Sequence, residues 1–111
     1  MIDIQYLTSL FEDEVLVRKY LERFQEDMPK ILHRVRTSYQ NQQWSELSLL
    51  AHSYKCQLQY LNESDTATLA YEIEKKSAST SPDSNEIGEL ITQLENKLVD
   101  TLKEIHQVIN S

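Results

Sequence analysis

Apolar residues recur at three- and four-residue intervals through most of this chain, which is the spacing of one face of an α-helix. The clearest case is Leu47 to Leu61, read as LSLLAHSYKCQLQYL, with no Pro or Gly inside it. At about 100° per residue, Leu47, Leu50, Ala51, Tyr54, Leu58 and Leu61 share one face. Ser48, His52, Lys55 and Gln59 fall on a second, polar face, with Cys56 at its edge. A buried stripe is therefore expected to back an exposed one that carries an imidazole and, one turn later, an ammonium group.

The same reading gives elements on both sides. Asp3 can cap a short helix carrying Ile4, Leu7, Leu10 and Phe11, which would lid one end of a bundle. Glu12-Asp13-Glu14 opens a long helix running to about Tyr39, with a stripe of Leu16, Tyr20, Leu21, Phe24, Met28, Ile31, Leu32, Val35 and Tyr39. Pro29 lies inside it and cannot donate to the carbonyl of Gln25, so a kink is expected there, although the stripe continues in phase. Asn41-Gln42-Gln43 reads as a polar turn, Trp44 as its packing anchor and Ser45 as the N-cap of the central helix. Asn62 is suited to end that helix because Asn tolerates the left-handed conformation. Glu63 to about Lys76 forms the next helix, with Ser64 as N-cap, small Ala67 and Ala70, and Leu69 facing inward. Ser77 to Asn85 reads as an exposed Ser-rich loop. The last helix runs from about Asn85 to Ile109 on Ile87, Leu90, Ile91, Leu94, Leu98, Leu102, Ile105 and Ile109, with Gly88 a tolerable cost near its start.

These segments predict an all-α protein: an antiparallel up-down four-helix bundle with a short additional N-terminal helix. At 111 residues, one domain spanning 1–111 is expected. One Gly and two Pro leave little turn chemistry for a many-stranded fold. The single Cys cannot form an internal disulfide, which fits a reducing, cytoplasmic setting. No apolar run approaches the ~20 residues needed to span a bilayer, and no secretory signal is visible at the start. The net charge of -7 argues against nucleic acid, which needs a clustered basic face. The lone Gly88 excludes a Gly-rich phosphate loop. His52 and Cys56 have the i, i+4 spacing of two metal ligands, but a third is not evident, and no metal site is expected. His33, beside Arg34 and Arg36, and His106, near the C-terminus of its helix, read as surface residues.

Ala51-His52-Ser53-Tyr54-Lys55, followed by Leu61, resembles the central helix of histidine phosphotransfer (HPt) domains. There the pattern reads roughly Ala-His-x-x-Lys-Gly, with Leu-Gly nine and ten residues after the His. Ile2-Asp3, the Phe24-x-x-Asp27-x-Pro29 run and the Leu69-x-x-x-Ile73-Glu74 run also sit where that family places similar residues. Two positions depart from the pattern: Cys56 fills a slot usually held by Gly, and Asn62 replaces the helix-ending Gly.

The resemblance implies a phosphocarrier in a two-component phosphorelay. His52 would take a phosphoryl group from a receiver-domain aspartate and pass it to another. Lys55 would offset charge on the phosphoryl oxygens, and Gln59 could donate a hydrogen bond to them or to the ring. Ser48, Leu49, Cys56 and Tyr60 are the candidate contacts with the receiver; for Leu49 and Tyr60 the alternative is burial against the N-terminal segment. The implied partners are response-regulator receiver domains, with a hybrid sensor kinase as one source of them. The chain would bring no cofactor of its own, Mg²⁺ being expected on the receiver. It would act as a monomeric transfer intermediate rather than a turnover enzyme, without contact to nucleic acid or membrane. Two other readings share the same residues. One is a phosphate-silent adaptor that binds receivers or other proteins without transfer. The other is the dimerisation helix pair of a histidine kinase, which would normally be followed by an ATP-binding domain. A hydrolase is disfavoured because no nucleophile and base pair is evident.

Overall fold

The computed structural model describes residues 2–111 and consists of five helices. They are α1 (Ile4–Phe11), α2 (Glu14–Gln40), α3 (Trp44–Tyr60), α4 (Ser64–Ser77) and α5 (Ser84–Ile109). Helices α2 to α5 form the bundle, each packed on its neighbour in the ring α2–α3–α4–α5, and α1 lies against α2. The core runs the length of the bundle: Leu21, Phe24, Met28 and Val35 from α2, five α3 positions with Leu61 just beyond them, Ala70 and Ile73 from α4, and Ile87, Ile91, Leu94 and Ile105 from α5. Each fully buried Leu, Ile, Val, Phe or Met side chain contributes roughly 1.5–3 kcal/mol, and the alanines less.

The central stripe is as the periodicity predicts. Leu47, Leu50, Ala51, Tyr54, Leu58 and Leu61 are all buried. Asn62 follows with φ 56, the left-handed conformation that lets the chain turn into α4. The α5 stripe also holds, with Thr101 joining its buried face.

The helix ends required corrections. Glu12 does not open α2; it terminates α1 in the left-handed region at φ 55, and the cap of α2 is Asp13, whose carboxylate accepts from the Val15 N–H. Asp3 caps α1 by accepting from the Tyr6 N–H. Ser45 and Ser64 are not caps: Gln43 and Glu63 take those positions, without side-chain hydrogen bonds to the helix start. Asp83, inside the expected loop, caps α5, and Ser77 at the loop's other end is a buried residue of α4. The Ser77 hydroxyl turns back to the Ile73 carbonyl at 2.6 Å, which allows a serine to end a helix inside the core.

Two stripe positions face outward. Leu16 is exposed while Val17 is buried, so the first turn of α2 meets the core one position later than predicted. Leu10 of α1 is exposed too, leaving Leu7 as the buried anchor of that helix. Helix α2 runs unbroken through Pro29, which sits on the exposed face.

Gly88 has a packing role. A Cβ there would run into the Tyr39 hydroxyl and ring. Its absence lets Tyr39 lie against α5 and donate to the Ser84 carbonyl at 2.8 Å, while its ring meets Trp44 edge-on. That contact explains a glycine in a helix, where it costs about 1 kcal/mol against Ala.

The N-terminal residues tie the bundle end together. The Asp3 N–H donates to the Leu61 carbonyl at 3.1 Å and the Ile2 N–H to Glu104 Oε2 at 2.9 Å. The Asn62 amide donates to Asp3 Oδ2 at 3.2 Å, so α1 starts from the turn that ends α3.

Candidate functional site

Because α3 buries the Leu47–Leu61 stripe, its opposite face points to solvent, and His52 stands there with a side chain 55% exposed. Helix α4 packs beside it, joined by the Ser48 hydroxyl, which donates to the Glu74 backbone carbonyl at 3.0 Å. That contact brings the Glu74 side chain under the imidazole. Its Oε2 lies 3.0 Å from His52 Nδ1. An ionised carboxylate can only accept, so the neutral ring carries its proton on Nδ1 and its lone pair on Nε2. The nitrogen turned away from the carboxylate is thus the nucleophilic one.

Lys55 occupies the other side of Glu74. Its Nζ lies 3.3 Å from Glu74 Oε1 and 5.2 Å from the centre of the Tyr71 ring, and its side chain is only 17% exposed. Lys75 approaches the same ring at 5.7 Å. Glu74 Oε1 is buried and has this ion pair without a hydrogen bond of good geometry. With a neutral imidazole, the formal charges of Glu74 and Lys55 cancel. The ammonium is held on the flank of the ring rather than projecting freely into water.

Cys56, one turn after His52, places Sγ 3.8 Å from His52 Nε2. The thiol therefore borders the lone pair itself. Gln59 lies two turns beyond His52, about 10 Å along the helix axis, and is exposed with no hydrogen bond to the ring. Leu49 and Tyr60 are both exposed, at 68% and 46%, rather than buried against the N-terminal segment. Leu49 sits one turn before His52 on the same stripe, whereas the Tyr60 ring leans edge-on against Tyr20 of α2, 5.9 Å between centres. Ser48 is half-buried, its hydroxyl engaged with α4. Beneath the site, Tyr54 is fully buried and its hydroxyl has no partner; burial raises its phenol above the ordinary range.

Glu74 is the residue that sequence reasoning did not assign. It appears in the Ile73-Glu74 run, but nothing in a one-dimensional pattern says which face of α4 meets α3. Among the described residues no group of three or more His, Cys, Asp or Glu is placed to hold a metal ion, and no helix is long and apolar enough to cross a membrane.

An all-helical bundle that exposes the His52 imidazole, flanked by an ammonium group, is the arrangement expected from the resemblance of the central helix, and the Glu74 carboxylate backs the ring. The family model for the Hpt domain matches residues 19–108, and the chain belongs to that family. No curated protein and no solved structure matches the chain.

Proposed function

We propose that this chain is a phosphorelay carrier in which His52 Nε2 receives a phosphoryl group from a receiver-domain aspartate and yields it to a second receiver. The observation that carries the reading is the Nδ1–Glu74 contact, which leaves the Nε2 lone pair outermost on an exposed ring. Family membership supports the reaction class, since Hpt domains serve phosphotransfer in phosphorelay signalling.

In the forward step the Nε2 lone pair forms the N–P bond while the P–O bond to the aspartate breaks, its electron pair leaving as carboxylate. The ring becomes a phosphorylated imidazolium with its proton still on Nδ1, where Glu74 lies against the new positive charge. The transition state is loose and spreads negative charge over the three equatorial oxygens, so the carrier needs chiefly a positioned nucleophile and a nearby cation. Lys55 supplies that cation by rotating from Glu74 toward the oxygens. Leu49, beside His52, gives apolar contact to the partner, with Tyr60 at the far end of the stripe. Mg²⁺ and the remaining catalytic groups belong to the receiver. The setting is cytoplasmic and the carrier monomeric.

The test is incubation with phosphorylated receivers. An acid-labile label should appear on the wild type and be absent from His52→Gln. Receiver binding without label on the wild type would instead make the chain a phosphate-silent adaptor.

A further inference from the structure

We propose that His52 and Cys56 together chelate a thiophilic divalent cation, zinc being the test case, through Nε2 and the thiolate. Zinc binds sulfur at roughly 2.3 Å and imidazole nitrogen at roughly 2.0–2.1 Å, and a tetrahedral angle between those bonds separates the two ligand atoms by about 3.5 Å. Here Sγ and Nε2 are 3.8 Å apart, so an ion fits between them after a shift of a few tenths of an ångström. The second requirement of such a ligand is also present. A metal-binding histidine gives its other ring N–H to a carboxylate or carbonyl, which fixes the tautomer and raises the basicity of the ligating nitrogen. Glu74 holds Nδ1 in that way at 3.0 Å. Access is open, with His52 exposed and Cys56 partly so.

On binding, the thiol proton leaves to solvent, the sulfur and the Nε2 lone pair each donate to the ion, and water fills its remaining positions. With two protein ligands the ion is exchangeable rather than structural. It uses the same lone pair that phosphoryl transfer needs, so a bound ion and a phosphoryl group exclude one another. This last consequence rests on the phosphocarrier reading; the chelate does not.

The experiment is titration of the metal-free protein with Cd²⁺, followed through the ultraviolet thiolate-to-metal charge-transfer band, with Zn²⁺ then added as competitor. Saturable binding, a band lost in Cys56→Ser, and affinity weakened at least tenfold in His52→Gln are expected. Glu74→Ala should weaken binding roughly tenfold to a hundredfold through loss of the carboxylate behind the ring. Circular dichroism establishes that each variant is folded. Equal affinity of His52→Gln and wild type would overturn the chelate, since the thiol would then act alone. A separate arm measures labelling from a phosphorylated receiver with and without saturating Zn²⁺. Zinc should suppress labelling of the wild type and leave that of Cys56→Ser at its own zinc-free level. Labelling of the wild type that persists at zinc saturation would overturn the masking. A protein that takes no label in any condition, yet binds Cd²⁺ as described, would defeat the relay reading and leave the metal site standing.

Discussion

Glu74 reaches from α4 to hold His52 on α3: its Oε2 lies 3.0 Å from Nδ1, while Oε1 of the same carboxylate lies 3.3 Å from the Lys55 ammonium. One side chain thus orients the imidazole and restrains its neighbouring cation. Glu74→Ala should slow phosphotransfer. A hydrogen bond to a charged group is worth about 1.5–3 kcal/mol, and a half-exposed ring belongs at the low end, giving a loss of roughly tenfold. Glu74→Gln, whose amide oxygen can still accept from Nδ1, should fall between. Single-turnover transfer from a phosphorylated receiver measures both, and equal rates in all three proteins would remove the orienting role.

Cys56 stands beside Nε2, where the reacting aspartate of a receiver would come in the proposed transfer. Cys56→Gly clears that approach and should raise the transfer rate. The same substitution places glycine inside α3, so stability should fall by about 1 kcal/mol and the melting midpoint by several degrees. Opposite signs in stopped-flow transfer and thermal melting are the expected signature; a slower transfer would contradict the steric argument.

The Tyr54 hydroxyl is buried without a partner. A desolvated, unpaired hydroxyl costs roughly 1–3 kcal/mol, so Tyr54→Phe removes a penalty while keeping the ring that fills the core. The variant should melt higher than wild type by a few degrees. A lower midpoint would mean that the hydroxyl has a hydrogen-bond partner in solution.

Asp3 gives a pH dependence of known sign. The Tyr6 N–H, and after it the Asn62 amide, hold its carboxyl below the ordinary carboxylate value. A group depressed in the folded state contributes stability that is complete above its unfolded pKa, about 3.9, and is lost as pH falls through the lower folded value. Asp3→Ala should therefore melt below wild type at pH 7, with the gap closing as pH drops below about 4. A gap that widens in acid would reverse the assignment.

Much of the scaffold was legible from spacing because long helices average over many positions. The six stripe residues from Leu47 to Leu61, five in α3 and one at its cap, could only be buried together, and the α5 stripe is as regular. Helix starts were less legible. Ser45 and Ser64 had the chemistry of caps, but Gln43 and Glu63 took the positions because the turns before them set where helical hydrogen bonding begins. Leu16 and Val17 differ by one position, and which of them meets the core depends on the packing around the start of α2. In the site, His52, Lys55 and Cys56 lie on one helix, so their grouping followed from local geometry. Glu74 is 22 residues away, and its approach depends on how α4 turns against α3, a tertiary fact.

The shared carboxylate has a consequence for how long the group stays. In the proposed carrier a phosphate dianion on Nε2 would feel Glu74 as a like-signed neighbour across the ring, while the same carboxylate would steady the positive N–H between them. The two pulls oppose, so the lifetime of the loaded state would turn on where the Lys55 ammonium settles, with the carboxylate or with the phosphoryl oxygens.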